Sequence, residues 1–414
     1  MKRIILLLGT LLAALWLASA SYAENKPFIT KWKGEAGKEL KIPIFGKNYK
    51  LVIKKASDNT VLKTENSLTI TEDNNFYTYT PTEDGELLVE AGPERVEYIR
   101  FVWEEEKRGS AENLLTVERF GTVAWKSMEE AFAHCKNMQF ATTVDTPDLS
   151  SVKDMSNMFR GCSAFNQNLG SWKLKNCRKL GLYHCGMSIE NYSKSLVGWA
   201  AQADINENLL LRADNLHFNE AAKSARTKLM KEKHWSILGD VSEGGEVYDL
   251  RVGGVQLSSD NIASFQQALI EAGVLKKGKV GVTLEGEKLL LKLENAELTA
   301  PYDDFPTHIL TSTNNEITLQ LQGVCTITQL SSEAAIDVWK GTIVGRNTDD
   351  KLLVKGYVYF STAIRNCTVE VEDVLEGYIG GNLEIDNAIV KAKSIRNVGL
   401  ILKGCSILQP EGAQ

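Results

Sequence analysis

Two histidine–cysteine pairs are the residues in this sequence whose types and spacing could do chemistry. They are His134–Cys135 and His184–Cys185. A thiol beside an imidazole can act as an activated nucleophile, and four converging thiol and imidazole ligands can hold structural zinc. Zinc sites usually draw on close ligand pairs, whereas successive thiols here are 27, 15 and 8 residues apart. The spacing therefore predicts neither a metal or cofactor site nor a catalytic residue in this region. The ligand-binding residues remain unknown from the sequence.

A repeated phrase gives these cysteines another explanation. KSMEEAFAHC (Lys126–Cys135) returns as KDMSNMFRGC (Lys153–Cys162), which keeps Lys, Met, Phe and Cys at a period of 27 residues. Periods of 20–29 residues are typical of leucine-rich repeats. The methionine and phenylalanine are four residues apart, so each coil is predicted to hold them on one face of a helical turn, with the cysteine beside them.

The cysteines are therefore predicted to form a buried ladder of free thiols. A third, degenerate coil would run from Phe165 to Cys185, a step of 23 residues from Cys162. Disulfides between neighbouring coils remain an alternative. The chain has seven cysteines, so at least one thiol stays unpaired in a monomer.

So short a stack of coils needs caps at both ends. Ser188 is predicted to start a capping helix, and a second helix is expected from Asn219 to Lys233, followed by a strand and turn at His234–Asp240. The predicted core residues of the two helices are Tyr192, Leu196, Trp199, Ala222, Ala225, Leu229 and Met230. Trp172, Trp199 and Trp235 are interpreted as core residues, with a sugar-binding platform as the alternative.

The regions on either side of the repeats read as β structure. Residues 24–110 alternate apolar and polar positions between turn signals, which predicts an Ig-like β-sandwich that covers one end of the coils. After a linker at 241–246, residues 247–414 repeat an aliphatic motif with Asn or Gly before Ala or Cys, as at Asn295–Ala296 and Asn366–Cys367. Such a motif favours a parallel β-solenoid, whose left-handed corners suit Asn and Gly. A helix is expected at Asp260–Ala272.

The first 23 residues predict export. Lys2 and Arg3 precede an apolar run from Ile4 to Leu17 and then small residues, the order of a cleaved secretory signal. The protein is therefore expected outside the cell or on its surface, with the periplasm as an alternative, and with no transmembrane segment after cleavage. The net charge of −6 becomes more negative when Lys2 and Arg3 are removed, which disfavours nucleic acid as a partner.

Residues from about Phe28 to Asp240 resemble the BspA-like leucine-rich-repeat surface proteins of Bacteroidetes. The motifs that carry the resemblance are FGTVAWKSMEEAFAHC (Phe120–Cys135), DTPDLSSVKDMSNMFRGCSAFNQNLGSW (Asp145–Trp172) and ENYSKSLVGWA (Glu190–Ala200), with PFITKW and HWSILGD at the flanks. The resemblance implies a surface or secreted protein with an adhesive role and carries over no catalytic residue. The long repeat arrays of that family are absent.

Together these patterns predict a multidomain, mainly β protein with α/β repeats: a signal at 1–23, a sandwich at 24–110, capped repeats at 111–240 and a solenoid at 247–414. The expected function is non-catalytic binding or adhesion to a host or bacterial surface protein or glycan. A polysaccharide-degrading enzyme is the first alternative, and a structural spacer is the second. An enzyme would need paired carboxylates, and the acidic pairs Asp303–Asp304 and Asp349–Asp350 lie in turn-like stretches where aspartates usually cap or face solvent.

Overall fold

The computed structural model describes residues 25–102, 108–182, 184–286, 288–300, 308–331, 334–377, 382–396 and 399–408. The leader predicted at 1–23 and the pair Asp303–Asp304 lie outside these residues. The chain divides into two compact units, residues 1–216 with 221–235, and residues 217–220 with 236–414. The described structure is mainly β with few helices, as predicted. Within the described residues, no helix combines the length and apolar composition needed to cross a bilayer.

The first unit begins with an antiparallel sheet. Its strands are β1 (Phe28–Gly34), β3 (Ile44–Lys55), β4 (Val61–Ile70), β6 (Gly85–Ala91), β7 (Val96–Ile99) and β8 (Leu114–Arg119), and the chain also forms β2 (Leu40–Ile42) and β5 (Tyr77–Tyr79) in this region. β1 lies between β6 and β8, and alternate side chains of β1 are buried, from Phe28 to Trp32. This period of two follows from the pleat of a strand with one face on the core. β2 pairs with β5 in a separate two-stranded sheet, and the Ig-like assignment stays a prediction.

The N-terminal sheet continues into the repeats. β8 pairs in parallel with β9 (Gln139–Phe140), which follows the first repeated phrase. β10 (Asp154–Met155) of the second coil, β11 (Lys179–Gly181) of the third coil and β12 (Leu210–Arg212), which follows the third coil, then pair in parallel. Strand pairing therefore crosses residue 110, where a domain boundary is predicted.

Two helices follow the third coil, α1 (Ile189–Ala200) and α2 (Glu220–Glu232). Ser188 caps α1 by accepting a hydrogen bond from the Asn191 N–H at 3.3 Å, as its residue type predicts. The predicted core residues Tyr192, Leu196 and Trp199 are fully buried.

Met230 on α2 is not a core residue, contrary to the sequence prediction. Ala222 and Leu229 are buried seven residues apart, on one stripe of the helix, whereas Ala225 is half-buried and Met230 is 38% exposed. Successive helical residues point about 100° apart, so the residue after Leu229 turns away from the buried stripe. The prediction placed Met230 in the core because the residue is apolar, although its position on the helix points away from the buried stripe.

The second unit is built from short strands and one helix. Its elements are β13 (His217–Phe218), β14 (Ser236–Leu238), β15 (Val241–Ser242), β16 (Val247–Val252), β17 (Val255–Ser258), α3 (Phe265–Glu271), β18 (Leu275–Glu285), β19 (Lys288–Thr299), β20 (Leu310–Ser312), β21 (Ile317–Gln322), β22 (Val324–Thr328), β23 (Ile336–Val344), β24 (Lys351–Lys355), β25 (Val358–Arg365), β26 (Thr368–Glu376), β27 (Asn382–Asp386), β28 (Ile389–Arg396), β29 (Gly399–Lys403) and β30 (Ser406–Leu408). The helix expected at 260–272 is shorter, because a 3-10 turn precedes Phe265. Within the predicted linker, Val241 is buried in a strand that pairs with β13.

Three columns of parallel, in-register strands make up most of this unit. One column contains β20 and parts of β23, β25, β26 and β28. The second runs from β19 through β21, β23, β25 and β27 to β29, and the third from β19 through β22, β24, β26 and β28 to β30. The chain passes through the columns in turn, so each circuit stacks on the one before. We call residues 288–408 the C-terminal stack.

The corner between the second and third columns has a left-handed Asn or Gly in five circuits, as the motif predicts. These residues are Asn295, Gly323, Asn366, Asn387 and Gly404, with φ of 45°, 73°, 51°, 46° and 56°. Asn and Gly tolerate this conformation at low cost. Stacked asparagines also bond to each other, since Asn387 Nδ2 donates to Asn366 Oδ1 at 2.9 Å.

Candidate binding surface on the repeat turns

The repeated phrases fold as successive turns that stack on each other. The N–H groups of Met128, Glu130, Phe132 and His134 donate to the carbonyls of Asp154, Ser156, Met158 and Arg160 at 2.8–3.1 Å. The intervening residues form i→i+3 turns, as in the Ala131 N–H bond to the Met128 carbonyl. Residues 26 apart are therefore hydrogen-bonded neighbours in consecutive coils. We call residues 128–138, 155–165, 181–182 and 184–187 the repeat turns.

The predicted helical turn in each coil is wrong. Glu130 and His134 have positive φ values of 53° and 64°, which a right-handed helix excludes. A chain of turns with a left-handed residue every fourth position also brings residues four apart to one side. Met128, Phe132 and Cys135 are accordingly all fully buried, as the spacing predicts.

Aromatic rings and thiols fill the interior of the repeat turns. The rings of Phe132 and Phe159 stack with centroids 5.9 Å apart, and Phe159 stacks on Phe165 at 4.0 Å. The Cys162 thiol donates to the Phe132 carbonyl at 2.9 Å. All seven cysteines are free, so the alternative of disulfides between coils does not hold in this structure.

The thiols are poorly suited to nucleophilic or metal chemistry. Burial raises the pKa of the Cys185 thiol to about 11 and raises the pKa values of Cys135 and Cys162 further. A thiol nucleophile needs a lowered pKa. Among the residues that the structure describes, no three His, Cys, Asp or Glu side chains lie close enough to hold a metal ion.

The residue before each stacked cysteine occupies a left-handed corner. His134, Gly161 and His184 have φ values of 64°, 75° and 58°. Histidine is enriched at such positions among non-glycine residues. His134 is half-buried and His184 is exposed, while Cys135 is fully buried. The histidine–cysteine pairs therefore arise from a backbone corner beside a core position.

Arginines lie next to these histidines along one edge of the turns. The His134 N–H donates to the Arg160 carbonyl at 2.8 Å, and the Leu182 N–H, two residues before His184, donates to the Arg212 carbonyl at 2.7 Å. Burial, Arg108 and Arg160 lower the pKa of His134, whereas burial, Arg160 and Arg212 lower the pKa of His184.

Arg160 thus acts electrostatically on both histidines, one from each neighbouring coil. Arg212 also pairs with Asp214, Nη2 to Oδ2 at 3.3 Å. We call His134, Arg160, His184 and Arg212 the basic edge. Sequence reasoning singled out the two histidines and missed the arginines, although their offsets of 26 and 28 residues from the histidines repeat the coil period.

The tryptophans that could have formed a sugar platform are core residues. Trp172, Trp199 and Trp235 are each at most 4% exposed. Trp199 Nε1 donates to the Leu169 carbonyl at 2.9 Å, and Trp235 Nε1 donates to the Asn206 carbonyl at 2.8 Å. All three rings are buried, and the indole N–H groups of Trp199 and Trp235 bond to backbone carbonyls, so the core interpretation holds.

Asp350, from the described acidic pair, is a structural cap. Its carboxylate is 1% exposed and accepts bonds from the Arg346 side chain at 2.8 Å and the Gly323 N–H at 2.6 Å. These donors, with Arg346 first, hold the pKa of Asp350 well below its usual range. Its neighbour Asp349 is exposed. Asp350 thus ties one circuit of the C-terminal stack to the previous one.

A groove of about 720 Å³ lies on the N-terminal sheet, and no sequence motif points to it. Five of its six charged lining residues pair with each other. Lys31 pairs with Glu118 at 3.4 Å and with Glu86 at 3.6 Å, and Lys55 pairs with Glu83. The groove is lined by charges of both signs, whereas the four residues of the basic edge are all basic, so the basic edge is the stronger candidate surface for a charged partner.

Comparison with known proteins places one family on this region. The matching family model is that of a Mycoplasma protein of unknown function, DUF285, over residues 109–228. The match covers less than a third of the chain and contains the repeat turns, α1 and most of α2. It is consistent with a surface repeat protein. Neither the curated proteins nor the solved structures include a significant match.

Proposed function

We propose that the protein is a secreted or cell-surface binding protein without catalytic activity, and that the basic edge contacts its partner. The single observation that carries this proposal is the fixed order of His134, Arg160, His184 and Arg212 on consecutive stacked coils. Backbone hydrogen bonds of 2.7–3.3 Å connect each of these residues' segments to the next. A surface held this rigidly loses little conformational entropy when it binds a partner.

We also infer the finer architecture that the sequence predicts. The repeat turns would be a short leucine-rich-repeat array of the BspA-like type, and the C-terminal stack would be a parallel β-solenoid. Support comes from the 27-residue period, the DUF285 match and the three columns of parallel strands. Export rests on the leader-like residues 1–23.

The partner is expected to carry negative charge, as a glycan with carboxylate or sulfate groups or as an acidic protein surface. Arginine presents several N–H donors in one plane, which suits such oxyanions. Neutral histidines beside it can donate or accept hydrogen bonds and gain charge when the pH falls.

The test is an array of acidic and neutral glycans and surface proteins, probed with the exported chain and with Arg160→Glu. Loss of a charge-assisted hydrogen bond, worth about 1.5–3 kcal/mol, should weaken binding at least about tenfold. Binding should also weaken as ionic strength is raised. The matched control is Arg178→Glu, an exposed arginine outside the basic edge, which should leave binding unchanged.

Three outcomes would contradict the proposal. Equal loss in both variants would show a general charge effect. Turnover of a polysaccharide on the array would favour the enzyme alternative. No bound ligand at all would favour a structural spacer.

A further inference from the structure

Among the described residues, the last strand of the second column in the C-terminal stack has an open edge. β29 pairs with β27 along its whole length, from Asn382↔Gly399 to Asp386↔Lys403. No described strand pairs with its other side. Such an edge presents a row of backbone N–H and C=O groups that another strand can bind.

The apolar core is open at the same end. One in-register row of the second column passes through Leu291, Leu319, Ile343, Ile364, Ile385 and Leu402. The first five of these side chains are at most 1% exposed, whereas Leu402 is 53% exposed. Leu400 is 42% exposed, and its in-register neighbour Leu383 is fully buried. β29 thus carries core side chains that lack a covering layer among the described residues.

The opposite end of the stack is protected. β18 lies antiparallel on β19, and α3 contacts β18 in turn. β18 is interrupted by two register shifts and carries Lys276, Lys277 and Lys279. Lysines and bulges are the features that keep edge strands from pairing. A copy that docked β29 onto this strand would also bring Lys403 towards lysines of the same sign.

We propose that the open end binds the same end of a second copy of this chain about a two-fold axis, with β29 antiparallel to its counterpart. Centred on Ile401, this register places Lys403 opposite Gly399 of the partner subunit, where a residue without a side chain leaves room for the lysine. Lys403 is already neutralised by Glu384, Nζ to Oε1 at 2.5 Å. The two lysines end four residues apart, about 14 Å at about 3.4 Å per residue.

This arrangement covers both the unpaired edge of β29 and the exposed leucines beside it. The backbone groups of the two edges pair, and the exposed leucines of each copy cover those of the other. Because the same patch serves both subunits, the assembly closes as a dimer and does not grow into fibres. The proposal is independent of the basic edge, which lies in the other unit.

The test is the oligomeric state of the full chain, measured by light scattering over a range of concentrations. Wild type should be a dimer, and Ile401→Lys should be a monomer, since two like charges would face each other across the pair. The matched control is Leu284→Lys, an aliphatic residue that is 37% exposed on β18, which should remain a dimer. Thermal unfolding of both variants checks that they fold.

A second variant tests the register. In Ile401→Cys, a short bis-maleimide should join two chains, whereas Leu284→Cys should not be joined above the wild-type background. Monomers at every concentration, or a dimer that survives Ile401→Lys, would overturn the proposal. Steady growth of mass with concentration would indicate head-to-tail assembly and would equally overturn it.

Discussion

Individual cysteines in this chain act through their size and their burial. Five of the seven thiols are buried, Cys185 and Cys405 are half-buried, and all are free. Cysteine is a small residue with a weak donor, so Cys162 can fill a narrow position in one coil and bond the Phe132 carbonyl of the coil before it. The same side chain thus serves packing and coil-to-coil bonding.

The first prediction concerns thiol reactivity. In the native protein a colorimetric thiol reagent should modify the half-buried Cys185 and Cys405 slowly and the five buried thiols hardly at all. In denaturant, without reductant, all seven should react at once. The count is made with and without denaturant on the same sample, and wild type pretreated with reductant is the control. Fewer than seven thiols in denaturant would indicate disulfides and contradict the ladder.

The second prediction concerns pH. The pKa values of His134 and His184 are lowered from 6.5, first by burial and then by the flanking arginines. The unfolded chain therefore binds more protons than the folded chain, so this contribution to stability is present above the unfolded pKa and is lost as the pH falls below about 6.5. The midpoint of urea unfolding should accordingly decrease between pH 7 and pH 5.5.

A double variant isolates the two histidines in that experiment. His134→Asn with His184→Asn keeps a residue that tolerates positive φ and removes the titration. The decrease with pH should be smaller in this variant than in wild type. An identical decrease in both proteins would assign the pH dependence to other groups.

At the scale of elements, the join between α1 and the loop before it depends on two glycines. Gly198 lies inside α1, and a Cβ added there would be 2.6 Å from the Gly170 Cα and 2.7 Å from the Gly170 carbonyl oxygen. Both contacts are with backbone, which cannot move aside as a flexible side chain can. α1 is therefore held against the loop at a distance that a side chain would prevent.

The third prediction follows from this contact. Replacing Gly by Ala inside a helix ordinarily stabilises it by about 1 kcal/mol. We expect Gly198→Ala to lower the free energy of unfolding by about 1–3 kcal/mol, because overpacking outweighs helix propensity. Val197→Ala is the matched control on the exposed side of α1, and it should change the free energy by less than about 0.5 kcal/mol. A stabilised Gly198→Ala protein would contradict the tight contact.

The repeat period predicts which residues stack on each other, but it does not predict the type of turn that each coil forms. The period of 27 correctly predicts that Phe132 lies on Phe159, because identical side chains at one period must stack. It does not distinguish a helical turn from linked tight turns, since both bring residues four apart to one side. Only the φ of residues such as Glu130 separates them.

The C-terminal stack shows a similar limit. Asn366 and Asn387 mark the corner between two of its columns, so these columns leave a visible motif. The column that contains β20 has strands of about three residues and no fixed corner residue, and the sequence gives no sign of it. Only the two histidines of the basic edge can be predicted from the sequence, because each precedes a cysteine of the predicted ladder. Its arginines come from neighbouring segments, and no motif marks them.

At the scale of the whole molecule, each unit has a buried core of its own. Phe159 lies in the aromatic stack of the first unit, and Ile385 lies in an aliphatic row of the second, and both are fully buried. A cavity made in one core removes packing only within that unit.

The fourth prediction is that calorimetry shows two unfolding transitions that respond separately. Phe159→Ala should cost about 3–5 kcal/mol and Ile385→Ala about 2–5 kcal/mol, each in its own unit. Each variant should shift one transition by several degrees, since about 1 kcal/mol corresponds to about 2–4 °C for a unit of 150–250 residues. The controls are the surface variants Val197→Ala and Leu284→Ala. Equal shifts of both transitions would show one cooperative molecule.

The alternating backbone N–H donors of the first repeat turn limit how the array of coils can change in length. The first coil offers N–H groups from Met128 to His134, and the second coil offers the matching carbonyls from Asp154 to Arg160. A coil that is duplicated or lost as one full period leaves every donor facing an equivalent acceptor. Insertions of any other size would break that correspondence. Evolution can therefore lengthen or shorten the array in whole steps without redesigning either neighbour.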